Sequence, residues 1–433
     1  MSDYDVIIVG GRPSGSTLAA RLGQGGLRVL LLERMAFPSL PGVSCPIVYA
    51  STLHMLDEIG ADEAAYARNT PPIRKMINIL DDDIFEFPIP DAYGRDYAYA
   101  VDRARFDAAL WDHASRQPGV EAITEFSVID LLWEADQVRG VTGQGADRVT
   151  RTFTADVVIG ADGRFTTVGR KANAPERDVH EENPTTLYYA YWTNAAPLFD
   201  GTPAAVAVGR GEGYGFLMMD SADGSIALAV EGRAELLEAP AGKAREFYLD
   251  LLRETPIIWK RVQHAEMIGD VRGMKRIGNL YHAAGGSGWA LVGDAYHQKD
   301  PLDGQGIYDA VYTSRALAGE ILAWKRGEKS WDEALAAYDR AARAETYPMY
   351  RSTLERVRTT LYPPELPSWA AALSKRTFTR WLMDDPLFKE RLGLMMTRQI
   401  HPDFAMTPPI VWGALLRGPL RELSKALEKQ IER

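Results

Sequence analysis

The chain has 433 residues and a formal net charge of −10, with 46% hydrophobic and 25% charged residues. This composition excludes disordered, collagen-like and coiled-coil proteins, and the length suits two or three domains. The negative charge provides no basic field for nucleic acid or for an anionic membrane surface. We therefore expect no nucleic-acid partner and no membrane association.

The cysteine content and the N-terminus bear on the cellular compartment. Cys45 is the only cysteine, which excludes an internal disulfide and a cysteine-rich metal site. The acidic start of the chain differs from a signal peptide, and no apolar run reaches the ~20 residues that span a bilayer. The seven histidines form no pair with metal-binding spacing. We predict a cytoplasmic protein without a metal site.

The first motif is a strand, glycine turn, helix and second strand near the N-terminus. A β-branched strand at residues 5–9 precedes a glycine turn at 10–15, and a strand at 29–32 leads to Glu33. In such a unit the glycines let backbone N–H groups approach a pyrophosphate, and the acid binds ribose hydroxyls. Glu33 lies 18 residues after the last glycine, close to the usual spacing of about 20. The unit predicts a dinucleotide site.

One position in this turn departs from the usual pattern. Arg12 stands where the second glycine normally allows close approach of the backbone to the phosphates. An arginine there would retain phosphate binding through its guanidinium. The alternative interpretation is a tight βα turn that binds no ligand.

Three later segments have features similar to those of the first motif. In each of them a strand ends in an acidic or glycine-containing turn. They are Val101-Asp102-Arg103 at a helix start, Gly160-Ala161-Asp162-Gly163 after a buried strand, and Gly293-Asp294-Ala295 followed by Pro301 and a glycine-rich helix start. In this order and combination, over about three quarters of the chain, the sequence resembles flavoprotein monooxygenases of the para-hydroxybenzoate hydroxylase type. Relatives of that family include geranylgeranyl reductases and flavin-dependent halogenases.

The resemblance implies an α/β fold with three parts. These are a Rossmann-like FAD-binding domain, a substrate domain with a mixed or antiparallel β-sheet, and a C-terminal helical region. The expected boundaries are 1–75, 98–180 and 266–330 for the discontinuous FAD-binding domain, 76–97 and 181–265 for the substrate domain, and 331–433 for the helical region.

The resemblance also implies which residues contact FAD. They are Gly10, Arg12 and Gly15 at the pyrophosphate, Glu33 at the adenosine ribose, Arg103 at the phosphate and ribityl region, Asp162 and Gly163 in the Asp-Gly turn associated with FAD and NAD(P)H, Asp294 at a ribityl hydroxyl, and Pro301, Gly304 and Gly306 beside the isoalloxazine ring. The last group has an independent physical reason, because a helix start exposes N–H donors that stabilise the anion of a reduced flavin.

Four further residues are weaker candidates. His297 is a candidate general base and Lys299 a candidate stabiliser of developing charge, against a structural histidine and a solvated Lys-Asp pair on a loop. In the aromatic stretch at 185–192, alternation sends Tyr189 and Tyr191 to one face of a strand. These tyrosines are expected either to line the substrate pocket or only to pack beneath the sheet.

The predicted function is that of an FAD-dependent monooxygenase. It would insert one oxygen atom of O₂ into a hydrophobic or aromatic small molecule through a flavin C4a-hydroperoxide. No second nucleotide-binding unit is found, so NAD(P)H would bind transiently as electron donor or a separate flavin reductase would supply electrons. The alternatives are a flavin-dependent reductase of isoprenoid double bonds and a non-catalytic dinucleotide-binding protein. Halogenation is disfavoured because the sequence contains no Trp-x-Trp motif.

Overall fold

The computed structural model describes residues 2–42, 45–80, 83–210, 213–363, 367, 369–370, 380–405 and 407–431. The strands, in chain order, are β1 (Tyr4–Val9), β2 (Val29–Leu32), β3 (Ile47–Tyr49), β4 (Lys75–Leu80), β5 (Asp83–Pro88), β6 (Ala98–Ala100), β7 (Val120–Ile123), β8 (Ser127–Glu134), β9 (Gln137–Gln144), β10 (Thr150–Gly160), β11 (Glu176–Thr193), β12 (Ala205–Arg210), β13 (Tyr214–Asp220), β14 (Ile226–Arg233), β15 (Glu266–His282), β16 (Gly285–Gly286), β17 (Trp289–Leu291) and β18 (His297–Gln298).

The α-helices are α1 (Pro13–Gln24), α2 (Ala50–Asp57), α3 (Glu63–Tyr66), α4 (Arg103–Ser115), α5 (Thr167–Lys171), α6 (Ala244–Arg253), α7 (Pro256–Val262), α8 (Gly306–Lys325), α9 (Trp331–Thr360), α10 (Trp381–Met383), α11 (Pro386–Met396), α12 (Pro402–Ala405) and α13 (Pro408–Ile431). Short 3₁₀ turns occur at Ala222–Gly224, Gly293–Ala295 and Pro301–Asp303.

The first sheet has a parallel core in the order β17-β10-β1-β2-β7, extended by the antiparallel strands β16, β9 and β8. Four of these core strands have apolar, buried carboxyl-terminal ends, as expected for strands covered on both faces. They are β17, β10, β1 and β2. Helices α1 and α8 pack against each other. Because the core strands are parallel, their carboxyl ends share one edge of the sheet.

The second sheet is mixed, with the order β18-β15-β11-β14-β13-β12-β4-β5 and a single parallel pairing, between β12 and β4, among its described strands. Side chains on β11 alternate as the sequence predicts. Tyr188 and Trp192 join a cluster with Tyr248 of α6. Tyr189 and Tyr191 lie on the opposite side, here called the inner face, which packs against β3 and β6. Together the two sheets and the C-terminal helices confirm the expected fold class.

The second sheet extends beyond the segments that the sequence assigns to the substrate domain. Strand β15 covers 266–282, and β11 already begins at Glu176, so both run into ranges expected to belong to the FAD-binding domain. Strand β11 has 18 residues and β15 has 17, and their pairing is interrupted by several register shifts. Many exposed charged side chains conceal the period-2 pattern of β15. The second sheet therefore takes strands from both expected domains, and the domain boundaries stay predictions.

The C-terminal region is helical, as expected. Helix α9 begins with a capping box between Ser330 and Glu333. Helix α13 is tied to α11 through Asp385, which is fully buried and accepts hydrogen bonds from Arg417 and Arg421. In the described part of the chain, every helix is too short or too polar to cross a membrane.

Candidate functional site

A cavity of about 480 Å³ lies at the carboxyl ends of the parallel strands of the first sheet. Ligands of open α/β sheets bind at this edge. The cavity brings together residues from widely separated segments. The sequence-predicted residues that line it are Gly10, Arg12, Glu33, Arg103, Asp162, Gly163, Asp294, His297, Lys299, Pro301, Gly304 and Gly306. Of the predicted cofactor residues only Gly15 does not line it.

Gly15 lies behind the cavity, where α1 meets the end of β1. A Cβ atom built on Gly15 would stand 1.7 Å from the carbonyl oxygen of Gly10, which no side chain can tolerate. Gly10 itself has a φ of +105° and faces the backbone of Ala161. The two glycines therefore let the helix start close on the strand end, and Gly15 acts through packing.

Two helix N-termini open into this cavity. Helix α1 has Arg12 as its N-cap residue and α8 has Gln305, and neither side chain caps its own helix. The first-turn N–H groups therefore keep their capacity to bind an anion, aided by the helix dipole. A Cβ atom on Gly306 would meet nothing within 4 Å, so the cavity is open at the start of α8. The site offers two anion-binding points.

Glu33 is held at the end of β2 by backbone groups. Its Oε2 accepts from the N–H of Gly11 at 2.8 Å, and its Oε1 accepts from the N–H of Met35 at 3.0 Å. Each carboxylate oxygen can accept a second hydrogen bond. The geometry thus orients Glu33 while leaving acceptor capacity for ribose hydroxyls.

Asp107 is a site residue that the sequence analysis missed. It is fully buried and accepts from Arg12 Nη1 at 2.6 Å and from Arg103 Nη2 at 2.9 Å. Arg12 also donates to the carbonyl of Ser39 at 3.1 Å. Asp107 lies four residues after Arg103 on α4, a helical ion-pair spacing that the sequence already contains. The guanidinium of Arg12 is thus bound by protein groups, and its contact with a phosphate stays a prediction.

Asp162 has an incompletely satisfied carboxyl group. Its Oδ2 accepts from the N–H of Thr167 at 2.6 Å, whereas its buried Oδ1 has no hydrogen-bond partner among the described residues. Burial raises the pKa of this carboxyl above its ordinary value. A buried polar atom without a partner costs on the order of 1–3 kcal/mol. A polar ligand group in the cavity would remove this penalty.

Asp294 faces the cavity with a half-exposed carboxylate. Its side chain is 43% exposed, and Oδ2 lies 3.4 Å from Nε of Arg164. The Arg164 guanidinium also donates to the carbonyls of Gly278 and Lys299, which fixes it beside the cavity. The carboxylate is therefore oriented and still accessible to a ligand hydroxyl.

Lys299 and Asp300 are buried, so the alternative of a solvated pair on a loop is wrong. The Lys299 Nζ atom lies 2.6 Å from carboxylate oxygens of both Asp303 and Asp309. Burial alone would raise the pKa of Asp309, but Lys299 and Arg398 hold it well below the usual range. Lys299 is therefore an ion-paired residue that lines the cavity. Its expected role, to stabilise charge that develops in the reaction, stays a prediction.

His297 is buried on the same wall. Its ring stacks on that of Tyr281 with centroids 4.9 Å apart, and Nε2 lies 3.4 Å from Asp309 Oδ2. Neither ring nitrogen makes a hydrogen bond to a described residue. In the described ranges no group of three His, Cys, Asp or Glu side chains could hold a metal ion. A proton-transfer role for His297 stays a prediction.

Arg398 brings the C-terminal region into the site, and no sequence pattern indicated it. It follows α11, has a φ of +59°, and donates to Asp309 Oδ1 at 3.0 Å and to the side chain of Gln305. Its guanidinium also lies 4.5 Å from the ring centre of Tyr308. Arg398 therefore joins the tail to the start of α8.

Tyr189 and Tyr191 are buried on the inner face and do not line the cavity. The hydroxyl of Tyr189 donates to the carbonyl of Pro41 at 2.8 Å. The hydroxyl of Tyr191 is buried without a hydrogen-bond partner among the described residues, and burial raises its pKa. They belong to an apolar cluster that includes Ile47 and borders Gly304, because a Cβ on Gly304 would stand 3.1 Å from Ile47. Their role as pocket residues stays a prediction.

The FAD binding domain family matches residues 3–235, more than half of the chain. The chain belongs to this family. It is 28% identical to the digeranylgeranylglycerophospholipid reductase of Methanosphaerula palustris over 78% of this chain and 81% of the relative. It is 25% identical to the 1H-pyrrole-2-carbonyl-[peptidyl-carrier protein] chlorinase of Pseudomonas fluorescens, over 74% and 76%. A flavoprotein/dehydrogenase from Cytophaga hutchinsonii superposes with a TM-score of 0.77 at 17% identity, covering 99% of both chains.

Membership in the family makes the protein an FAD-dependent oxidoreductase, and the site fits that cofactor. Two uncapped helix N-termini suit the pyrophosphate and the flavin ring. Glu33 and Asp294 line the cavity with carboxylates that can accept hydrogen bonds from the expected ribose and ribityl hydroxyls of FAD. The unpartnered Oδ1 of Asp162 marks a polar group that the protein itself leaves incomplete. The contacts of individual residues with FAD stay predictions.

Proposed function

We propose that the protein is an FAD-dependent reductase that saturates carbon–carbon double bonds of a hydrophobic, isoprenoid-like small molecule. The apolar inner face carries this proposal, because it adjoins the helix start expected beside the isoalloxazine ring. Gly304 lies against Ile47 and Cys45, both of which pack with the inner face. The reductases among the relatives, aligned over most of both chains, support the same reaction.

The residues of the chain have distinct tasks in this reaction. Bound FAD supplies two-electron transfer. The N–H groups at the start of α8 would stabilise negative charge on the ring, and Glu33 and Asp294 would orient the ribose and ribityl hydroxyls. The part of the cavity that borders the inner face, at Cys45 and Met274, would bind the apolar chain of the substrate and exclude water.

Oxygen insertion into a hydrophobic or aromatic molecule is the second candidate function. This function is favoured by three aromatic rings in the cluster of the inner face, those of Tyr49, Tyr189 and Tyr191. Such a surface suits a flat aromatic substrate and would shield an oxygenated flavin from water. NAD(P)H that binds transiently, or a flavin reductase, is the expected electron source for either reaction.

One anaerobic experiment separates the candidates. The purified protein would first receive NADH, then NADPH, and its FAD would next be reduced fully with dithionite. On addition of a geranylgeranyl lipid we expect flavin reoxidation without oxygen, and a product that gains two hydrogen atoms. Reoxidation only after admission of O₂, with gain of one oxygen atom by an aromatic substrate, would favour the monooxygenase. Flavin that no substrate reoxidises would contradict both.

A further inference from the structure

Gln305 stands at the N-cap position of α8, yet its side chain does not cap the helix. The side-chain Nε2 donates to the carbonyl of Met396 at 2.8 Å, and Oε1 accepts from Nε of Arg398. These partners lie 91 and 93 residues later in the sequence, in the C-terminal region. Gln305 itself is buried and lines the cavity. The C-terminal region therefore fixes a side chain of the cofactor site.

Arg398 binds Gln305 and three further groups around α8. Its Nη2 donates to Asp309 Oδ1 at 3.0 Å, and its guanidinium lies 4.5 Å from the ring centre of Tyr308. Nη1 lies 3.7 Å from Oε1 of Glu345 on α9. A guanidinium is planar, and its donors point in fixed directions. One side chain therefore sets the positions of Gln305 and Asp309, which lie about one helical turn apart.

The N–H groups at the start of α8 stay open for an anion because Gln305 is held elsewhere. The first-turn N–H groups of a helix have no partner within the helix, and a side-chain oxygen at the N-cap is the usual local acceptor. The Oε1 atom of Gln305 is bound to Arg398 instead. On the cavity side, a Cβ atom on Gly306 would meet nothing within 4 Å. Contacts from the C-terminal region thus keep this anion-binding point accessible.

The charge of Arg398 also acts at the start of α8. Its side chain is 4% exposed, so salt screens this charge little. Arg398 shares the carboxylate of Asp309 with Lys299, whose Nζ lies 2.6 Å from Asp309 Oδ2. Asp309 and Lys299 both line the cavity. Without Arg398, the carboxylate would lose one of these two cations, and the electrostatic potential near the helix start would become more negative.

We propose that Arg398 is a positioning residue for the reduced cofactor. By holding Gln305 and Asp309, it keeps the start of α8 open and compensates the charge of Asp309 beside the expected position of the isoalloxazine ring. The site then stabilises the negative charge of the reduced ring more than the neutral oxidised ring, which raises the reduction potential of bound FAD. This inference rests on FAD bound with its ring at the start of α8, and it applies to either candidate reaction.

The first test measures the reduction potential of bound FAD against redox dyes in the absence of oxygen. Arg398→Met removes the charge and the donors but keeps a long side chain. We expect the equilibrium constant for flavin reduction to fall by about tenfold or more, as for the loss of one charge-assisted hydrogen bond. Arg358→Met, at an exposed arginine of α9, is the matched control and should leave the constant unchanged. An unchanged potential in Arg398→Met would overturn the proposal.

The second test separates positioning from charge. Arg398→Lys retains a positive charge but lacks the planar fork that binds Gln305 and Asp309 together. We expect at most partial recovery of the native potential, whereas full recovery would refute the positioning role. If Arg398→Met fails to bind FAD, Arg398→Lys decides by the same criterion, and urea unfolding reports the integrity of each variant. Neither measurement uses a substrate, so a native protein that reduces no lipid would refute the reductase function and leave this inference standing.

Discussion

The cofactor cavity and the inner face differ in what builds them. The cavity consists of strand ends, glycine turns and helix starts, so backbone groups form much of its surface. The inner face consists of side chains from several strands, with single polar groups among them. Backbone sites depend on motifs that are short in sequence. Side-chain surfaces depend on which strands become neighbours, and a single substitution changes them locally.

The largest expected effect tests the dependence of the cavity on the backbone. Gly15→Ala adds one methyl group at a point 1.7 Å from the Gly10 carbonyl oxygen, so the turn and α1 must separate. We expect loss of bound FAD, measured as the flavin absorbance of the purified protein. Gly319→Ala is the matched control, because a Cβ there meets no atom within 4 Å. Normal FAD content in Gly15→Ala would show that the close contact is dispensable.

A smaller effect is expected at the charged cluster of Lys299, Asp309 and Arg398. Asp309→Asn leaves Lys299 and Arg398 without their shared carboxylate in a buried position. Breaking such a cluster destabilises a protein by about 3–5 kcal/mol. Urea unfolding measures the change, with Asp332→Asn at an exposed site as control. A change no larger than that of the control would mean that the ion pairs contribute little.

The inner face is tested by the pH dependence of stability, because Glu231 of β14 pairs with Leu187 of β11 and burial raises the pKa of its carboxyl well above the ordinary value. Between the ordinary pKa of a glutamate, 4.5, and the raised pKa of Glu231, the folded protein binds one proton more than the unfolded chain. Its free energy of unfolding therefore falls as pH rises, by up to about 1.4 kcal/mol per pH unit from this group.

Glu231→Gln lacks this dependence, so its stability relative to the native protein should increase between pH 5 and pH 7. Denaturant unfolding at the two pH values measures the difference. Glu235→Gln, at an exposed glutamate shortly after β14, serves as the control. A difference that does not change with pH would indicate an ordinary pKa for Glu231.

The smallest effect is expected at a single ligand contact. Asp294→Ala removes one expected hydrogen bond to a ribityl hydroxyl, a net loss of about 1 kcal/mol. We expect a several-fold increase in the Kd of FAD when the apoprotein is titrated. Asp270→Ala, at a carboxylate that is 92% exposed on β15, is the control. Equal Kd values for both variants would contradict a contact between Asp294 and FAD.

Most of the predicted cofactor residues line one cavity, and they could be predicted because their determinants are local. Glycines at fixed positions after a buried strand allow one backbone geometry, and parallel strands bring their carboxyl ends to one edge. The residues that were missed act across the fold. Asp107 and Arg398 bind partners more than 80 residues distant in sequence, Arg12 and Asp309 respectively. Nothing in a local pattern indicates such pairs.

By itself the sequence determined the fold class, the faces to which the residues of β11 point and, through its resemblance to a flavoprotein family, the FAD cofactor. The first two follow from glycine spacing, buried strands and the two-residue period of a strand. Only the tertiary structure decided the extent of the second sheet, the burial of Lys299 and the ion pairs of Asp309 with Lys299 and Arg398. Strand neighbours and burial depend on the packing of distant segments, and these in turn set the charge state of an ionisable side chain.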